Sequence, residues 1–228
     1  MKRLLLLLIL LVTVAASKSH AVNCHCFQDR TFDPQLPTAA DAYFLATTQN
    51  SLLSAALNIE KSTIVRAKMG GADADLLWVV YYLSDRTGLD TSEMIELYTN
   101  ANLRPGFIST LVQSSTRLDK PFIMALTSPD SLERLAAGAY RSVMQTQLGI
   151  RDETLAGLEL AGASRKEQIL SIFISLLLAE EPSIIFKAVR TGKKSWSQSL
   201  AETGLEAKQI EAAWKKLIKF HQTGRQDG

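Results

Sequence analysis

The sequence predicts an all-α protein: a compact multi-helix bundle that follows a cleaved signal peptide and an extended N-terminal tether. Three observations predict it. Apolar residues recur at helical spacing nearly throughout, with no sustained period-two alternation. Gly, Pro and Ser/Thr/Asp residues punctuate these runs as helix stops and starts. The only two cysteines, Cys24 and Cys26, cannot form a disulfide scaffold, so a hydrophobic core must hold the fold.

The first segment is MKRLLLLLILLVTVAASKSHA. Lys2 and Arg3 form a basic n-region, and Leu4 to Ala16 is an apolar run shorter than the roughly 20 residues a spanning helix needs. Ser19 and Ala21 are small residues at the −3 and −1 positions of a cleavage site. The expectation is a signal peptide over 1–21, no transmembrane span after its removal, and a secreted product, periplasmic in a double-membraned bacterium. Lipidation of Cys24 fits poorly, because Asn23 precedes it where a small residue is wanted.

Residues 22–37 read as a Cys-containing tether, and 38–228 as the helical domain. Thr38, with Asp41 three residues on, predicts the N-cap of a helix carrying Tyr43, Phe44, Leu52, Leu53 and Leu57. Lys61 to Met69 is a short helix closed by Gly70-Gly71. Asp73 to Thr87 is a third, with Leu76, Leu77, Val80, Tyr81 and Leu83 inward and Gly88 as its stop. Asp90 with Glu93 forms a capping box that opens a helix through Ile95, Leu97 and Tyr98. Pro105-Gly106 breaks the chain before a short helix with Phe107, Ile108 and Leu111.

Ser128-Pro129 starts a helix with Leu132, Leu135, Tyr140, Val143, Met144 and Leu148 as its apolar set. A short helix runs from about Glu153 to Leu160 and ends near Gly162. Ser164 with Glu167 is a capping box ahead of ILSIFISLLLA (Ile169 to Ala179), the most apolar stretch of the mature chain. Eleven residues are too few to cross a bilayer, so this is the central buried helix. Pro182 follows, then helices to Arg190, from Trp196 to Thr203 with a Ser195/Gln198 cap, and from Glu206 to His221. Glu93–Leu111 and Pro182–Leu200 share a helix–turn–aromatic–short-helix pattern. That pattern suggests two stacked helical-hairpin repeats, about 73–112 and 164–201.

Charge excludes some functions. The whole chain has 25 basic and 23 acidic residues. Removing Lys2, Arg3 and Lys18 leaves 22 against 23, so the mature chain is nearly neutral and offers no footprint for nucleic acid. The helix-turn-helix style does not alter this, because SWSQSLAET and GFISTLVQS carry no Arg, Lys or Asn to read base edges. The basic concentration of Lys193, Lys194, Lys208, Lys215, Lys216, Lys219 and Arg225 is interspersed with glutamates and reads as a solvated face.

No catalytic constellation is visible. His20 leaves with the signal, so only His25 and His221 remain, one in a tether and one on the frayed last turn. No H-E-x-x-H, G-x-S-x-G, Walker A loop or dinucleotide fingerprint occurs. The adjacent pair Glu180-Glu181 diverges on a helix end, and Asp73 and Asp75 suit the dipole of a first turn.

The expectation is a non-enzymatic protein that acts by interaction with an unknown partner protein, the envelope or itself. It has no catalytic or cofactor-binding residues. Trp78, Trp196, Trp214, Tyr81, Tyr82 and Tyr98 supply either a binding surface or core. The alternative is a metal-binding or thiol-redox protein using Cys24, His25 and Cys26. Two thiolates and an imidazole suit Cu or Zn, although the second ligand pair of a structural zinc site is missing. Cys24 and Cys26 could instead form a disulfide, within a small strained ring or between chains.

Overall fold

The structure, a computed structural model, describes residues 37–92, 94–95, 117–126 and 131–224. Among these the chain is all-helical, without strands. Ten α-helices have defined bounds: α1 Asp41–Leu57, α2 Lys61–Met69, α3 Ala74–Thr87, α4 Lys120–Leu126, α5 Leu132–Leu148, α6 Asp152–Leu160, α7 Arg165–Leu178, α8 Pro182–Arg190, α9 Trp196–Ala201 and α10 Ile210–Gly224. Short 3-10 turns precede α1 (Pro37–Ala40) and α10 (Ala207–Gln209). The expected signal sequence, nearly all of the expected tether and residues 96–116, which hold most of the Glu93–Leu111 half of the suggested repeat, lie outside the described residues.

α1 is a central element. It packs against α7, α10, α2 and α3, while α5 gathers α3, α4 and α10 on its other sides. Two helices are buried all round. α3 hides every residue from Leu76 to Leu83, and α7 every residue from Gln168 to Ser175. The expectation of one central helix is therefore too few. It is also too long for α7, whose Leu176 is partly exposed. Between these helices Phe173 meets Trp214 at 4.6 Å, Trp78 meets Tyr140 at 5.7 Å edge-on, and Tyr82 meets Phe122 at 4.6 Å. All three tryptophans are core, and burial of each such side chain stabilises by about 1.5–3 kcal/mol.

Local chemistry explains most boundaries. Asp73 accepts from the backbone N–H of Asp75 and Leu76, and Gly88 closes α3 in the left-handed region. Ser164/Glu167 and Ser195/Gln198 form reciprocal capping boxes. Pro182 opens α8 in the first turn, where its missing N–H costs nothing. The Asp90 carboxylate accepts from Ser92 N–H, as expected of a helix start.

Several boundaries differ from the sequence reading, including that of α10, which begins at Ile210 after the 3-10 turn and not at Glu206. Thr38 does not cap α1: it lies within the 3-10 turn, and the cap position is Ala40, which makes no side-chain bond. Asp41 instead reaches α9. Its carboxylate accepts from Trp196 N–H, Ser197 N–H and the Ser197 hydroxyl. α5 starts at Leu132, because Ser131 is extended and its hydroxyl accepts from Arg134 N–H; Ser128-Pro129 lie outside the described residues. α9 ends at Ala201, where Thr203 bonds back to the Leu200 carbonyl. α4 (KPFIMAL) was not expected: it is short, and the start signal of Asp119 with Pro121 in the first turn was passed over. It lies flat on α5 because Gly138 has no side chain. A Cβ there would stand 2.6 Å from the Ala125 Cβ, which justifies the roughly 1 kcal/mol that glycine costs a helix interior.

Candidate functional site

α5 carries the run AAGAYR, and its small residues leave room beside Tyr140 and Arg141. α6 and the N-terminus of α7 close over this face and leave a cleft of about 200 Å³. Glu133, Ala137, Tyr140 and Arg141 line it from α5, and Glu159 from α6. Ala163, Ser164, Arg165 and Gln168 line it from the start of α7.

Tyr140 is the unusual member. It is 4% exposed, and its hydroxyl makes no hydrogen bond. Burial raises its pKa, against the opposing charges of Arg165 and Arg141, so it stays a neutral donor. Its ring lies against Trp78, whose Nε1–H also lacks a partner, and the Arg165 guanidinium stands 6.0 Å from the ring centroid. A buried donor left unmatched costs about 1–3 kcal/mol, so this corner of the core is not arranged for stability alone.

The charges around the cleft hold one another. Arg141 pairs with Asp152 and Glu159, and Arg165 pairs with Asp75 across to α3. Gln168 is buried and donates to the Ala163 carbonyl at 2.9 Å, which steadies the floor. The surface therefore presents both signs, fixed in position by three helices, above a hydroxyl that lacks an acceptor.

A second polar spot lies where α2 and α7 flank α1. Lys68 on α2 is half-buried, and its ammonium donates to the carbonyl oxygen of the buried Asn50 at 2.5 Å. Among the described residues no carboxylate pairs with it. Desolvation, and then the like charge of Lys166, bring its pKa down to about 8. A third network joins the Tyr82 hydroxyl to the Asp119 carboxylate at 2.9 Å, with Arg86 on the same carboxylate at 3.0 Å.

The expected ligands Cys24, His25 and Cys26 lie outside the described residues, as does Tyr98. Among the described residues no group of three or more His, Cys, Asp or Glu side chains could hold a metal ion, and no helix is long and apolar enough to cross a membrane. Glu180 and Glu181 are exposed at the junction of α7 and α8, where the Glu180 carbonyl accepts from the Ser175 hydroxyl. His221 is not frayed. Its ring packs on the backbone of Gly149, where a Cβ would fall 2.1 Å from Cε1, and Gly149 itself has φ +65°. Both facts require glycine there. Neighbouring Gln222 donates to Gln147 at 2.7 Å and pins the same end of α10.

Sequence reasoning filed Tyr140 with the apolar set of its helix and passed over Arg141, Arg165 and Lys68. The one local signal was the cluster of small residues before Tyr140, which marks a thinned helix face. No family model, no curated protein and no solved structure matches this chain.

Proposed function

We propose that this is an exported, non-enzymatic helical protein that acts by holding a partner protein, and that the cleft between α5, α6 and α7 is where it holds it. The observation that carries this reading is the Tyr140 hydroxyl, a buried donor with no acceptor at a cleft rimmed by charges of both signs. The hydroxyl is closed to solvent in this structure, so an acceptor from outside, a carboxylate or an amide carbonyl of the partner, satisfies it once the side chains covering it move aside. Arg141, Arg165 and Glu159 then fix orientation by exchanging contacts, as rim charges do. The pairing of the cleft's arginines with carboxylates supports binding over catalysis, because these guanidiniums are not left as lone electrophiles.

The test uses two variants. A photo-crosslinking residue replaces exposed Glu133 on the cleft, with exposed Lys216 on α10 as the control position. In the native compartment the first is expected to yield a discrete adduct and the second none. Tyr140→Phe keeps the ring, so it is expected to abolish the adduct while raising the unfolding free energy by about 1 kcal/mol. Equal adducts at both positions, or an adduct indifferent to Tyr140→Phe, would refute the reading. The rival metal or thiol role of Cys24, His25 and Cys26 is separated by a Cys24→Ser, Cys26→Ser double variant. Unchanged crosslinking and metal content set that role aside; loss of a stoichiometric metal together with the adduct replaces the present reading by it.

A further inference from the structure

α10 turns Ile210, Trp214 and Ile218 inward, with Ala213 and Leu217 partly buried beside them. Ala212, Lys215, Lys216, Lys219, Phe220 and Thr223 are exposed, and their spacing of i, i+3, i+4, i+7, i+8 and i+11 gathers them into one outward stripe. The stripe runs about 16 Å along the helix. In sequence the lysines of this region alternate with glutamates, but the fold takes the glutamates off the stripe. Glu211 reaches toward α1, where it accepts from the Ser54 hydroxyl at 3.2 Å, and it holds Lys215 at 2.7 Å. Glu206 holds Lys208 at the turn before α10, and Glu202 holds Lys194. Among the described residues Lys216 and Lys219 have no ion pair. Next to them Phe220 is 81% exposed. This is no loose helix end, because His221 packs on Gly149 and Gln222 bonds Gln147, so the fold holds the Phe220 ring in water.

We propose that the outward face of α10 docks on an anionic lipid surface, with Phe220 entering the boundary between headgroups and acyl chains and Lys216 and Lys219 resting on headgroup phosphates. Charge selects an anionic occupant, since two uncompensated ammonium groups flank the ring. Shape selects a lipid. The face is the outer curve of one helix with a single projecting ring; a fluid surface closes around such a ring, whereas a protein needs a pocket already formed for it. The lysine stems are long enough to lie along the apolar boundary while their charges stay at the phosphates. No residue of α10 lines the cleft at Tyr140, so either surface can fail without the other. A lipid neighbour also adds no protein adduct at Lys216, which leaves the crosslinking test of the cleft intact.

Phe220→Trp serves as the reporter, because the three native tryptophans are buried. The vesicles carry brominated acyl chains and are either phosphatidylcholine alone or phosphatidylcholine with about a third phosphatidylglycerol. The anionic vesicles at low salt are expected to quench the reporter beyond the unsubstituted protein, and raised salt to reverse the quenching. Lys216→Gln and Lys219→Gln in the reporter should each weaken binding about fivefold. Phe220→Ser should weaken co-sedimentation with the same vesicles about tenfold. A Lys187→Gln, Arg190→Gln double variant removes two exposed charges from α8 instead and should change binding less than about twofold. Quenching no greater than in the unsubstituted protein, equal quenching by both vesicle types, or indifference to both lysine variants would overturn the proposal. An equal loss in the α8 double variant would overturn the assignment to α10. Displacement from the vesicles by polyglutamate, with no dependence on Phe220, would overturn the lipid and give the face to an acidic protein.

Discussion

α3 and α7 are the two helices hidden on every side, and they solve the same problem differently. Each buries eight consecutive residues, Leu76–Leu83 and Gln168–Ser175. α7 does so with aliphatic side chains, Phe173 and three polar residues, of which only Ser171 leaves its hydroxyl unmatched. Two of its polar atoms find local carbonyls: Gln168 bonds Ala163, and the Ser175 hydroxyl bonds Glu180. α3 instead carries Trp78, Tyr81 and Tyr82 inward, and only Tyr82 has a hydrogen-bond partner among them. α7 keeps its polar atoms small and leaves one of them unmatched, whereas α3 takes larger aromatic polar groups inside and leaves two unmatched, a greater stability cost that its contact Tyr140 shares beside the cleft.

Substitutions can break this comparison. Phe173→Ala on α7 should have the largest effect, a loss of about 3–5 kcal/mol in denaturant unfolding, since it opens a cavity against Trp214. A loss under 1 kcal/mol would mean that α7 is not the rigid half. On α3 the two neighbouring tyrosines should diverge. Tyr82→Phe removes the acceptor of the Asp119 backbone N–H and the donor to its carboxylate, for a loss of about 1–2 kcal/mol. Tyr81→Phe deletes a hydroxyl that bonds nothing and should be neutral or stabilising by up to about 1 kcal/mol. Similar losses for both would show that Tyr81 has a partner in solution and would weaken the contrast between the helices.

The parts of this arrangement that sequence could reveal are those set by residues close in the chain. The Asp73 cap, the Ser164/Glu167 and Ser195/Gln198 boxes, the Gly88 stop and Pro182 all act within one turn, and all were readable. The all-round burial of α3 was not, because Trp78 and Tyr82 fall off its amphipathic face and are covered only when α4 and α5 arrive. α4 itself is a seven-residue helix held by the space that Gly138 leaves on α5, a tertiary cause to which Asp119 and Pro121 at its start add only a short local signal. The cleft is harder still. Arg165 meets Asp75 across 90 positions of sequence, and nothing near either residue announces the other. Lys68 and Lys166 are in the same situation: each looks like an ordinary surface lysine until α2 and α7 share a neighbour.

Asp41 adds a consequence for how the chain is made. Its carboxylate completes α9, and the Trp214 indole donates to the Thr48 carbonyl, so the first described helix and the last segments finish each other across 155 to 166 positions. During synthesis α1 emerges with its partners still untranslated, and its apolar surface must wait for nearly the full length to be released. Such a domain closes late and as one unit.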